Sequence, residues 1–262
     1  MHFDLKILQN WLKANKISLN ASKTEIILFR HPNKKVNYDL KIKINGKRLY
    51  PSDYVKYLGI TIDSFLNWRF HSTSLSIKLC RANGMLSKIR HYVSLNTLRM
   101  IYFGIFNSVM TYGSQIWGQF LNVNVKRIAN LQNKSIRLMN FANFRAPANI
   151  YYKISNILKI TDIVKLNNFL LAHDHYHNNL PAALCNLFSY TKNIHSYYTR
   201  GSNQQQISLP KVNTQTYGIN SIKYQSTKDW NIINKLLSAH KLTTKRKNYC
   251  KKIITNFFIN NY

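Results

Sequence analysis

Two hydrophobic periods divide this chain, with the change near Trp68. Phe3–Lys13 places Leu5, Leu8, Trp11 and Leu12 at helical spacing, with Lys6, Asn10 and Lys13 elsewhere, so a helix is expected that ends at Asn15-Lys16. Short strands are expected at Ile17–Leu19 and Glu25–Phe29. Leu40, Ile42 and Ile44 then alternate with Lys41 and Lys43, and Asn45-Gly46 is a strong two-residue hairpin signal returning through Lys47–Tyr50. Tyr54–Trp68 reads as a single strand. Val55, Tyr57, Gly59, Thr61 and Asp63 would face one way, and Tyr54, Lys56, Leu58, Ile60 and Ile62 the other. A mid-strand Gly59 marks either a bulge or a close backbone approach.

From Arg69 the period becomes helical. Leu75, Leu79, Ala82, Leu86 and Ile89 form one stripe, and Leu98, Ile101, Tyr102, Ile105 and Val109 a second, behind a cap around Ser94–Thr97. Val125, Ile128, Ala129, Ile136 and Met139 form a third, interrupted by Gln132. Thr161 is the expected cap of a fourth, with Ile163, Leu166 and Leu170, ending before Pro181. These stripes are most simply read as core faces. After Tyr190 the periodicity fades into a polar, Gln-rich stretch. A turn or short strand is expected at Ile222–Ser226, a helix opening at Asp229-Trp230-Asn231, and a basic amphipathic tail before Phe258. Met100–Trp117, the most apolar run, is broken by Asn107, Ser108 and Gln115, so a buried helix is expected rather than a membrane span.

Charge changes the picture more than composition does. At 45% hydrophobic and 13% aromatic the chain can bury a core, but 38 Lys+Arg stand against 8 Asp+Glu, a net +30. AT-rich coding would enrich lysine, yet it would not remove the acids. An anionic partner accounts for both, and nucleic acid is the expected one. Residues 1–68 carry +7, 69–190 carry +12 and 191–262 carry +11. No acid lies between Asp63 and Asp162, while thirteen bases do. Lys78, Arg81 and Lys88 flank the first helical stripe, Arg90 and Arg99 follow, and Lys126, Arg127, Lys134 and Arg137 flank the third. Such helices have no acids with which to pair at three- or four-residue spacing. Tyr92, Tyr102 and Tyr112 are candidates for base stacking, although aromatics in helical stripes are more often core.

The ordered set Trp11–Asn20, Ser22-Lys23-Thr24-Glu25, Ile26–Phe29, Tyr57-Leu58-Gly59, Leu66-Asn67-Trp68 and His71 resembles the end of the palm in reverse transcriptases of non-LTR, jockey-like retrotransposons. The resemblance continues at Leu86–Val93, Tyr112-Gly113 through Trp117-Gly118, and Leu131–Ile136, and it covers most of the chain up to about Tyr190. It implies an α+β chain: a small antiparallel palm-remnant sheet with one helix (1–68), a mainly helical thumb bundle (69–190) and a basic C-terminal extension (191–262). Tyr57, Leu58 and Gly59 would belong to the primer grip. Lys23 would match a lysine that assists pyrophosphate departure or positions the nucleotide, unless it is only a charged loop residue. The partner would be RNA or an RNA–DNA hybrid, possibly with the rest of a retrotransposon polymerase; neither a membrane nor a small-molecule substrate is expected.

Polymerisation needs clustered carboxylates holding two metal ions. The acids are Asp4, Glu25, Asp39, Asp53, Asp63, Asp162, Asp174 and Asp229, none adjacent or one residue apart. The chain is therefore expected to begin just after the catalytic hairpin. It would lack fingers and most of the palm, and show no polymerase activity alone. No cofactor is expected, since Mg²⁺ would serve only the missing palm. A non-catalytic structural RNA-binding protein, and a piece active only with a separate palm, are the alternatives. His173 and His177 share a helix face, but His175 points away, so a solvated helix end is expected rather than zinc. Cys80, Cys185 and Cys250 show no metal or disulfide spacing, which fits a reducing intracellular site, nuclear or cytoplasmic.

Overall fold

The computed structural model describes residues 2–20, 22–34, 42–44, 47–119, 123–191 and 206–262. Two compact units divide the chain, Met1–His71 and Ser72–Tyr262. The first combines helix α1 (His2–Ala14) with strands β1 (Ile26–Ile27), β2 (Lys43–Ile44), β3 (Lys47–Arg48), β4 (Pro51–Ser52), β5 (Tyr54–Tyr57) and β6 (Ile60–Asp63). They form three two-stranded pieces. β2–β3 and β5–β6 are antiparallel, but β1 pairs with β4 in parallel, so the expected wholly antiparallel sheet is corrected. No strand forms at Ile17–Leu19. The expected Asn45-Gly46 turn and Leu40 lie outside the described residues; Ile44 pairs with Lys47. Ile42, Ile44, Leu49, Ile60 and Trp68 make a small core. The apolar face of α1 is only partly used: Leu8 is 43% exposed and Trp11 58%.

The second unit is helical. Its elements are α2 (Arg69–Ile89, which begins in the first unit), α3 (Leu95–Ile101), a π-helical segment (Tyr102–Asn107), α4 (Ser108–Thr111), α5 (Ser114–Trp117), α6 (Val123–Met139), α7 (Ala148–Ile154), α8 (Ile160–Tyr176), α9 (Ile222–Leu236) and α10 (Lys247–Asn260). Ser94 caps α3, its hydroxyl accepting from Thr97 N at 3.2 Å. The second stripe departs from its expected members. Leu98, Tyr102, Phe106 and Met110 are buried, not Ile105 and Val109. Four-residue spacing drifts by about 40° per step on an α-helix. The wider π-turns take up that drift and keep all four side chains inward.

α8 is the centre of this unit. Val164, Leu166, Asn168, Phe169, Leu170, Ala172 and His173 are all buried, so it has no polar face, only buried surface on most sides. Thr161 does not cap it. Lys159 is the N-cap residue, without a side-chain cap bond. Other elements take the free N–H groups: Gln132 Oε1 accepts from Ile160 N at 2.8 Å, and Tyr262 Oη accepts from Lys159 N at 3.0 Å. The region after Tyr190 also differs from expectation. Ile222–Ser226 is helical, not a strand or turn, and Asp229 lies inside α9 rather than at its start. Trp230 is fully buried and stacks on Phe169 with centroids 4.9 Å apart. Ile207, Ile233, Leu237, Leu242, Cys250 and Ile254 join the same core.

Asn168 also ties α8 to the turn after α5 and to α9. Its Nδ2 donates to Gln119 Oε1 at 2.9 Å and to Asp229 Oδ2 at 2.7 Å, beside a cavity of ≈ 320 Å³ lined by Val164, Ile232 and Phe258. Burial pushes the Asp229 carboxyl from 3.8 up to about 6, against the lowering effect of the Asn168 bond. A raised pKa contributes stability that is full below pH 3.8 and lost as pH rises through about 6. Burial moves His173 the other way, so its contribution is full above its ordinary value and lost as pH falls. Asp229→Asn is therefore expected to stabilise the protein at pH 8 by about 1–3 kcal/mol and to change little at pH 4. Thermal melts at the two pH values check this; an equal effect at both would refute the buried-carboxylate account.

Candidate nucleic-acid interface

In the first unit the resemblance-derived residues gather at a hairpin tip. Tyr54–Asp63 is not one strand. It folds back at Leu58-Gly59, pairing Tyr57 with Ile60 and Tyr54 with Asp63. Leu58 has φ 46° and Gly59 φ 82°, and a type I′ turn requires positive φ at both central residues. The two-residue turn moves Ile60 and Ile62 onto the face of Val55 and Tyr57, correcting the expected faces. Tyr57 and Leu58 project at the tip, 64% and 71% exposed. Beyond β6, Asp63 fixes the exit: its carboxylate accepts from Phe65 N, Asn67 N and Trp68 N at 3.1, 3.0 and 2.8 Å. Lys23 is exposed in a separate turn built on Asn20, whose side chain accepts from Ser22 N and whose carbonyl accepts from Lys23 N.

In the second unit the nine bases named from the sequence part into two groups. Lys78, Arg81 and Lys88 on α2, and Lys126, Arg127 and Lys134 on α6, are exposed. At ~100° per residue, the three on α2 lie opposite Asn83, whose amide donates to Leu131 O of α6 at 3.0 Å. They therefore point away from α6. Arg90, Arg99 and Arg137 are half-buried and engaged. Arg99 Nε donates to Ser155 O at 3.0 Å and Nη2 to Asn156 O at 3.5 Å, and its guanidinium sits over Phe103. Arg137 Nε donates to Ala146 O at 2.8 Å. Arg90 Nε donates to His91 Nε2 at 3.1 Å, with the guanidinium 5.3 Å from the Phe141 ring centroid.

The three acids of the second unit are taken up by the fold. Asp162 accepts from Lys165 and from Tyr262 Oη, Asp174 pairs with Lys247, and Asp229 is buried. No group of three or more His, Cys, Asp or Glu among the described residues is placed to hold a metal ion. The His173–His177 end is solvated only in part, with His177 exposed. His173 is buried with Nε2 2.9 Å from Lys245 O, and His175 contacts Tyr190 Oη and Cys185 O. Tyr102 is core, while Tyr92 and Tyr112 are exposed. All three cysteines are free. No helix among the described residues is long and apolar enough to cross a membrane.

Comparison with known proteins gives a consistent answer. The chain is 28% identical over 142 residues to an RNA-directed DNA polymerase from the mobile element jockey of Drosophila funebris, covering 53% of this chain and 15% of that protein. It is 27% identical over 142 residues to a Pol polyprotein of the type-1 retrotransposable element R1 of Bradysia coprophila, covering 53% and 14%. It is 30% identical over 133 residues to a probable RNA-directed DNA polymerase from the X-element of Drosophila melanogaster, covering 49% and 14%. The match spans about one-seventh of these relatives. No family model and no solved structure matches. The similarity supports a non-LTR reverse transcriptase region over about half the chain.

An L-residue in the left-handed region costs roughly 1–2 kcal/mol, and Asn-Gly is the favoured type I′ pair. Leu58→Asn is expected to stabilise the hairpin by about 1 kcal/mol. A rise in the denaturation midpoint checks it. No rise, or a fall, would mean that Leu58 contributes packing despite its exposure.

Proposed function

We propose that this chain grips nucleic acid for a reverse-transcriptase-type polymerase, holding RNA or an RNA–DNA hybrid by its backbone. The observation that carries the reading is the set of six exposed bases on α2 and α6 within a stretch that contains no acid. A phosphate backbone supplies the missing counter-charge without demanding a sequence, as a polymerase grip requires. In this reading residues 69–190 act as the thumb. Tyr57, Leu58 and Gly59 present a primer-grip tip, and Lys23 adds positive charge to the first unit. The nine bases named from the sequence divide the work. Lys78, Arg81, Lys88, Lys126, Arg127 and Lys134 meet phosphate, while Arg90, Arg99 and Arg137 hold the scaffold. In this reading the carboxylates that would bind two metal ions come from outside this chain, because none of its eight acids is adjacent to another or one residue away.

Six phosphate contacts correspond to a log–log salt slope of about −5, with affinity falling by roughly 10³-fold between about 50 and 200 mM salt. Exchanging Lys126, Arg127 and Lys134 together for Gln is expected to flatten the slope by about three units, leaving the melt unchanged. The same exchange at Lys235, Lys251 and Lys252, exposed on α9 and α10, is expected to do much less. Fluorescence anisotropy against salt measures both sets, and equal effects would remove the support for a thumb-like grip. Primer extension with Mg²⁺ or Mn²⁺ is expected to be absent. Extension that survives repurification would overturn the assignment of the carboxylates.

A further inference from the structure

We propose that Phe141 is a stacking site for an unpaired nucleobase, flanked by Arg90 and His91, with Phe144 and Tyr92 extending the surface. The proposal rests on the nucleic-acid reading above and adds to it a contact that reads bases as rings rather than as phosphates.

The starting point is a backbone conflict. α6 closes with paired C-terminal bonds: Phe141 N donates to Leu138 O at 3.4 Å, and Ala142 N to Arg137 O at 3.0 Å. This is a Schellman motif, whose C′ residue takes the left-handed conformation and is usually glycine or asparagine. Phe141 occupies it at φ 52°. The same motif ends α7 with Asn156 at φ 51° and α8 with Asn178 at φ 56°, where the sequence uses a tolerated residue. A bulky aromatic in this region is an outlier. Burial does not compensate for the strain, since the side chain is 54% exposed. Strain that local packing does not explain points to a function.

The surroundings define the ligand. Arg90 lies 5.3 Å from the Phe141 centroid, and the His91 ring meets it edge-on at 5.6 Å. Phe144, three residues on, is 79% exposed, and Tyr92 is 87% exposed. Arg137 holds this loop by its bond to Ala146 O, so Phe144 stands on an anchored segment. Arg145 is exposed on the same loop, and no acid lies within the span 64–161. Exposed rings among uncompensated cations are the combination that binds single strands, with bases stacking on rings and phosphates meeting cations. An acidic or purely apolar partner would use one half of this surface and leave the other unmatched.

The test uses Phe141→Gly in the full chain, because glycine suits the left-handed position and the variant should melt at the same temperature or higher. Affinity for a single-stranded RNA oligonucleotide is expected to fall about 5- to 100-fold. The salt slope should stay unchanged, and affinity for a blunt RNA–DNA hybrid should stay within about twofold. Phe144→Ala should weaken single-strand binding in the same sense. Undiminished single-strand binding by Phe141→Gly would overturn the proposal. So would loss of self-association in sedimentation without a change in binding, which would assign the surface to a second copy of the chain. If the unmodified chain binds neither probe, the nucleic-acid reading itself fails; if it binds both and only the Phe141 result is negative, the stacking site alone fails.

Discussion

The second unit depends on one buried amide. Gln132 lies on the apolar stripe of α6 with no exposed surface. Its Nε2 donates to Tyr102 Oη at 3.1 Å and to Leu158 O at 2.8 Å, while its Oε1 accepts from Ile160 N at 2.8 Å. These bonds fix the π-helical segment, the loop before α8 and the first turn of α8 relative to α6. An apolar residue here would leave Ile160 N and the Tyr102 hydroxyl buried without these partners, a loss of roughly 1–3 kcal/mol for each group. Once its N-terminus is held, α8 can serve as the axis on which α9 and α10 pack. Tyr262 completes the arrangement from the far end of the chain, bonding Lys159 N and Asp162 together.

Legibility in the sequence followed the range of the interaction. The Ser94 cap, the extent of α1 and the apolar members of α6 are set within a few residues, and they could be read directly. The hairpin at Leu58-Gly59 could not. The two-residue turn shifts the alternation by one, but Tyr54–Asp63 carries apolar or aromatic residues at both odd and even positions, so the shift does not stand out, and leucine is not a residue that announces positive φ. Gln132 looked like an interruption because its partners are 26 to 30 residues away. α9 and α10 were obscured for a related reason. In α9 three of the buried positions, Ser226, Thr227 and Asp229, are polar residues whose placement depends on α8 and its neighbours rather than on local period, and α10 buries only Cys250, Ile254 and Ile259. The exposed bases of the candidate interface were legible as charge. Which of them would be spent on scaffold was not, because that depends on carbonyls such as Ser155 O and Ala146 O brought near by the fold.

An acid-poor chain must find other partners for its cations, and this one uses two. The first is the carbonyl at a helix end or loop. Arg99 places its planar fork on Ser155 O and Asn156 O at the C-terminus of α7, where unsatisfied carbonyls and the helix dipole favour a cation. The second is the aromatic face: Arg30 over Phe65, Arg48 over Tyr50, Arg90 over Phe141, Arg99 over Phe103 and Lys159 over Tyr262. Such contacts are worth about 0.5–1 kcal/mol each at exposed sites, enough to orient a side chain but not to cancel its charge. The field of the unit therefore survives folding. Arg90, Arg99 and Arg137, with flat and weakly hydrated heads, are spent inside such contacts, while Arg81 and Arg127 stay exposed. The compact, strongly hydrated lysines at 78, 88, 126 and 134 are left at the surface. The exposed basic faces of α2 and α6 are therefore the places where a polyanion would find charge that the protein has not already used.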